Sequence, residues 1–204
     1  MAEDFVAKDG ELALQGHLLK INFKMKRVKV QEDKDCWFCF ENESIDRDLI
    51  VWSGTESEHF YIAMPKGPVC DDHFLIVPKR HIAHSLELTE VLEEEFMQLR
   101  DFLINYILNT KRMDYLLFER NSPFKFEKAA HMNIQIMALP PDVNLEDRVR
   151  KLLNTFQNRN TNQRQNPFIE IEDRESDLRN ELNDDPSKHF FYLQIPGLRT
   201  ARGR

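Results

Sequence analysis

Hydrophobic positions along the chain fall mostly into short runs and once into a long helical repeat. Leu49 to Trp52, Phe60 to Met64 and Phe74 to Val77 are apolar runs separated by Gly54 and by the stretch Pro65 to Pro68, and ended by Pro78. Their length and punctuation predict strands. After Thr89, a residue suited to an N-cap, Val91, Leu92, Phe96, Leu99, Leu103, Tyr106 and Ile107 recur at helical spacing. Glu90, Glu93, Glu94 and Glu95 load the first turns, where the helix dipole favours anions. Tyr115 to Phe118 and His131 to Leu139 are again strand-like, and Pro140-Pro141 closes them. Strands, one long helix, then strands predict an antiparallel α+β layer rather than a doubly wound sheet, because helices do not alternate with strands. Beyond it we expect a helix at Leu145 to Phe156, a polar surface loop at Gln157 to Asn166 and a short charged helix near Asp173 to Leu182. A strand at Phe190 to Ile195 and an Arg-rich tail complete a short α/β C-terminal extension.

The 204 residues correspond to one domain with a substantial extension, or to two small ones. With 41% hydrophobic and 31% charged residues the composition is that of a globular protein, not a disordered or disulfide-stapled one. The net charge of −7 excludes a polycation that would adhere to nucleic acid or anionic membrane, so any nucleic-acid contact must come from a local patch. Residues 1–30 are a candidate patch of this kind. They read as an arm with the basic run Lys20, Lys24, Lys26, Arg27 and Lys29, which either meets phosphate or pairs with the acids between Glu32 and Glu58. No run reaches the roughly 18 apolar residues that span a bilayer, and the acidic start does not fit a secretory signal, so no membrane partner is expected. Three cysteines, two of them at Cys36 and Cys39, suit a reducing compartment, cytosol or nucleus.

Three constellations carry candidate chemistry. Cys36-Trp-Phe-Cys39 can grip a tetrahedral metal from a tight turn, but a pair of thiolates is half a site. The segment Asp72-His73 to Pro78-Lys-Arg-His81 is a buried strand whose exit offers His81 and, one helical turn on, His84. In His131-Met-Asn133-Ile-Gln135, alternation along a strand puts three hydrogen-bonding side chains on one face and Met132, Ile134 and Ile136 in the core. The wet outer face of an antiparallel sheet would account for the same pattern.

Taken in order, Cys36-x-x-Cys39, His73-Phe-Leu-Ile-Val-Pro-Lys-Arg-His81, a long helix, Asn121 after the strand Phe118-Glu-Arg-Asn121, and the alternating run from His131 resemble the histidine-triad (HIT) superfamily of nucleotide hydrolases and transferases. More closely, Cys36-Trp-Phe-Cys39, Asp71-Asp72-His73, Phe118-Glu-Arg-Asn121 and His131-Met-Asn-Ile-Gln135 followed by Leu139-Pro140 resemble the CwfJ family of spliceosome- and lariat-debranching-associated proteins, which carry a HIT-like domain. The resemblance implies a HIT-like antiparallel sheet with one long helix over residues 31–141. Residues 142–204, around His189 to Gly197, are similar to the start of a second CwfJ region.

Active members attack phosphorus with the middle histidine of the triad. Asn133 stands there, and a carboxamide has no nucleophilic nitrogen near neutral pH, so the covalent route lacks its nucleophile. Asn121, Lys125, Lys128, Asn133 and Gln135 are the expected phosphate- or RNA-binding residues, with Phe124 and Phe126 as stacking candidates and Arg199, Arg202 and Arg204 as secondary contacts. The resemblance further implies a structural zinc on Cys36, Cys39, His81 and His131, with His84 as the substitute for His81 and Cys70 outside the set. It implies a nuclear adaptor of pre-mRNA splicing. That adaptor would bind RNA, including a branched intron lariat, and spliceosomal or debranching-enzyme proteins, as a monomer within a complex whose C-terminal segment docks in cis. A nucleotide hydrolase or transferase working through His131, and a pure protein-interaction platform, are the alternatives.

Overall fold

The computed structural model describes residues 5–8, 11–14, 17–20, 36–54, 57–121, 130–141, 144–159, 168–171, 178, 180–182 and 189–203. Within the segment expected to be an arm, β1 (Phe5–Lys8), β2 (Glu11–Leu14) and β3 (His17–Lys20) form an antiparallel meander in a sheet of its own. Two residues separate each strand from the next in sequence, and antiparallel neighbours need no longer connection.

The main sheet begins at β4 (Ile50–Trp52), β5 (Phe60–Ala63) and β6 (His73–Pro78). Helix α1 (Glu90–Asn105) runs on into a π-helical turn, Tyr106–Thr110. Then come β7 (Asp114–Asn121), β8 (Ile134–Leu139), helix α2 (Leu145–Arg159), β9 (Ile169–Glu170), β10 (Phe190–Ile195) and β11 (Leu198–Gly203). The strand order is β4-β5-β6-β8-β7-β10-β11-β9, with antiparallel pairing throughout. The expected α+β layer is therefore present. The strands beyond residue 142 belong to the same sheet, because β10 pairs with β7 from Phe190↔Asn121 to Gln194↔Leu117. The Arg-rich tail is its next strand, reached through Pro196-Gly197, with Gly197 at φ +79 where a turn after proline calls for glycine.

Alternation along each strand gives the sheet two apolar faces. Phe60, Ile62, Phe74, Ile76, Leu117, Ile134 and Ile136 pack on Leu92, Phe96, Leu99 and Leu103 of α1. On the opposite face, Tyr61, Ala63, Leu75 and Val77 pack with Ile50 of β4 and on Phe38, Phe40 and Ile45 from the segment before the sheet. Farther along, Val149 of α2 packs with Leu193, Ile195 and Leu198. Thr89 takes the extended N-cap conformation and its carbonyl accepts from Glu93 N–H, but its hydroxyl makes no capping bond. Glu95 is not with the solvated acids of α1. It is buried, and its carboxylate accepts from Ser57 Oγ (2.6 Å) and His59 N–H (3.2 Å), with His59 Nδ1 at 2.7 Å.

Candidate metal centre and adjoining cleft

Residues 36–40 form a tight turn held by Asn42, whose side chain donates to the Cys36 carbonyl (2.7 Å) and whose backbone N–H donates to the Cys39 carbonyl (3.0 Å). The turn brings the two thiols to one point. His81 leaves the end of β6 just past Pro78, and His131 lies three residues ahead of β8. The ligand atoms of Cys36, Cys39, His81 and His131 all lie within 4.8 Å of one another. Cys36 Sγ to His131 Nδ1 is 3.2 Å, Cys39 Sγ to His81 Nδ1 3.6 Å and Cys39 Sγ to His131 Nδ1 3.8 Å. Tetrahedral zinc with Zn–S near 2.3 Å and Zn–N near 2.0 Å requires sulfur-to-nitrogen edges of about 3.6 Å, so donor types and spacing fit such an ion.

The far nitrogen of His131 is also settled. Nε2 lies 2.9 Å from the Pro78 carbonyl, which can only accept, so Nε2 carries the proton and Nδ1 is left with a lone pair toward the sulfurs. Burial pushes this imidazole down to about 4, with the Pro78 hydrogen bond opposing the fall and His81 adding to it. Tyr61 donates to the Phe38 carbonyl (2.9 Å), and its hydroxyl is pushed well up by burial and then by Cys36 and Cys39. His84 is elsewhere: it is buried, packs edge-on against Phe190, and its Nδ1 has no partner among the described residues.

Beside the cluster the second sheet face opens into a cleft of about 340 Å³. Its walls are mainly apolar, from Trp37, Phe38, Ile45, Leu49, Tyr61 and Leu75, while Asn133 and Gln135 supply a polar wall from β8 and its approach. Trp37 is 76% exposed at the rim, where Lys66 and Asp46 also pair (3.3 Å).

The strand expected from His131 starts at Ile134. Upstream, Met132 N–H bonds the Ile82 carbonyl (2.7 Å) and the His131 carbonyl takes the Asn133 side chain, so those residues leave the ladder. Asn133 and Gln135 are brought together in the cleft, whereas Asn121 is buried on the α1 side of β7, in alternation with Glu119 and Leu117. Phe124, Lys125, Phe126, Lys128 and Arg204, with the basic run from Lys24 to Lys29, lie outside the described residues, as does most of the segment 157–188 expected to hold a loop and a short helix.

Sequence reasoning overlooked His73. It is 3% exposed and sits within 3.0 Å of the Gln135 side chain. A histidine opening an otherwise apolar strand was the available signal.

An eight-stranded antiparallel sheet with one face closed by a long helix and the other carrying a Cys2His2 cluster beside a cleft defines an α+β module. The chain belongs to the CwfJ C-terminal family: the family model described as "Protein similar to CwfJ C-terminal" matches residues 23–150. It is 32% identical over 136 residues to zinc finger CCCH domain-containing protein 64 of Arabidopsis thaliana, covering 67% of this chain and 21% of that protein. Human CWF19-like protein 1 is 27% identical over 160 residues, covering 78% of this chain and 27% of that protein. The chain thus spans only about a quarter of these relatives. The three-Cys, one-His finger in the Arabidopsis name is a different donor set from the two cysteines and two histidines here. Among solved structures, yeast Ap4A phosphorylase Apa2 with AMP overlaps at a TM-score of 0.48 and 14% identity, over 78% of this chain and 61% of that one. A HIT family hydrolase from Clostridium thermocellum overlaps at 0.38 and 21%, over 55% and 94%.

Proposed function

We propose that the chain is a non-catalytic RNA- and phosphate-binding module of a nuclear splicing adaptor, acting on the intron lariat or in spliceosome disassembly. Family membership supports the splicing context. The observation that carries the non-catalytic reading is Asn133, whose carboxamide lines the cleft where the resemblance expects a nucleophilic histidine, and is itself tied to the His131 carbonyl and Gln135. His131 offers no substitute base, because Nδ1 faces the two sulfurs and Nε2 the Pro78 carbonyl. Cys36, Cys39, His81 and His131 would hold a structural zinc. A closed four-ligand site leaves no open position to activate water, so the ion would supply stability. Carboxamides beside an apolar, aromatic-lined cleft suit a nucleotide unit of RNA, and Lys125 and Lys128 are the proposed flanking cations.

The test is a salt-titrated competition between branched and linear RNA of equal length, with wild type and the Asn133→Ala, Lys125→Ala double variant. Preference for the branched species, lost in the variant, is the expected result. Indifferent binding that vanishes with modest salt would leave only nonspecific phosphate attraction and favour a protein-interaction role.

A further inference from the structure

Asn133 and Gln135 each carry an acceptor oxygen and two N–H donors, so the wall they form has no fixed polarity of its own. A backbone amide supplies one. Val69 N–H points at His73 Nδ1 (3.2 Å), and because an amide can only donate, that ring nitrogen holds no proton. The proton of the neutral imidazole is then on Nε2, 3.0 Å from Gln135 Oε1, so His73 donates and the carboxamide oxygen accepts. The nitrogen of Gln135 is thereby turned to Asn133 Oδ1 (3.3 Å), and the nitrogen of Asn133 to the His131 carbonyl (3.0 Å). Burial lowers the proton affinity of His73, with the Gln135 hydrogen bond opposing the fall.

We propose that His73 is a positioning residue that orients both carboxamides, so that the cleft wall presents the remaining N–H of Gln135 and of Asn133 to a phosphoryl oxygen. The inference rests on the phosphate-binding reading above and adds a direction to it: the wall donates. A ligand group that accepts two hydrogen bonds matches it, and an ammonium group does not. His73 reaches the ligand only through Gln135.

Two measurements test this separately from RNA binding itself. In the free protein, long-range 1H–15N correlation of the His73 ring is expected to show the Nε2–H tautomer; a proton on Nδ1 overturns the relay whatever the chain binds. For binding, the probes are an unstructured 5′-phosphorylated oligoribonucleotide and a nucleoside 5′-monophosphate. Gln135→Glu still accepts from His73 but replaces the donor with a negative oxygen, and is expected to weaken binding at least about tenfold. His73→Leu is expected to behave similarly, and His73→Gln, which restores a donor near Nε2, to recover most of the loss. Weakening confined to the oligonucleotide assigns the phosphoryl oxygen to the RNA backbone, and weakening with both probes assigns it to a terminal phosphate. Unchanged affinity in Gln135→Glu, at a wild-type unfolding midpoint, overturns the proposal. If wild type binds neither probe, the phosphate reading falls and the tautomer alone decides the relay.

Discussion

His131 has both ring nitrogens committed, one toward the Cys36 and Cys39 sulfurs and one to the Pro78 carbonyl. Its proton affinity, lowered by burial to about 4 against an ordinary 6.5, makes it an acid-sensitive point of the metal-free fold. The unfolded chain takes up a proton near pH 6.5 and the folded one does not until near pH 4. This contribution to stability is therefore complete above pH 6.5 and is lost as pH falls through 4. Its size is on the order of 3 kcal/mol. Denaturant titrations with chelator present, run from pH 7.5 to 4, are expected to show this loss, and His131→Gln to flatten it.

A second expectation concerns the ion. Chelation of the zinc-loaded chain should lower its unfolding midpoint, and Cys39→Ser should lower it similarly while removing most sensitivity to chelator, as read by calorimetry with metal analysis. At this scale the sequence was informative where chemistry is local. The Cys36-x-x-Cys39 pair and the Asn133 and Gln135 alternation needed only spacing. The role of His73 was hidden because it depends on strand pairing, β6 against β8, between residues about sixty positions apart.

Helix α1 separates its acids by what they meet. Glu94 is exposed, while Glu95 reaches across to Ser57 and His59 and fixes the loop leading into β5 to the helix. Glu95→Ala should cost about 2 kcal/mol or more in urea unfolding, since it strands buried donors, whereas Glu94→Ala should stay within about 0.5 kcal/mol. Periodicity made the helix legible but gave four glutamates one reading, because only the position of residues 57–59 distinguishes them. The same limit explains the C-terminal hairpin. Pro196-Gly197 is a turn signal in plain view, but the strand after it, Leu198–Gly203, carries two arginines and reads as a tail until β10 and β9 flank it.

For the whole molecule, the decisive pairing is β7 with β10, which places a segment beyond residue 189 inside the sheet and covers an edge that the first 141 residues would leave open. The full chain should elute as a monomer in size-exclusion chromatography with light scattering. A chain ending at residue 141 should self-associate or precipitate, as bare sheet edges do. A monomeric, cooperatively folding truncation would show that the hairpin is dispensable.

That pairing also sets a schedule for synthesis. β10 begins about seventy residues after β7 ends. At 5 to 20 residues per second a ribosome leaves β7 waiting for roughly 4 to 14 s. During that interval the nascent chain has α1 and the strands through β8 available but no partner for its newest edge. A chaperone that engages unpaired strands would meet this protein between those two moments, and release it when the hairpin closes.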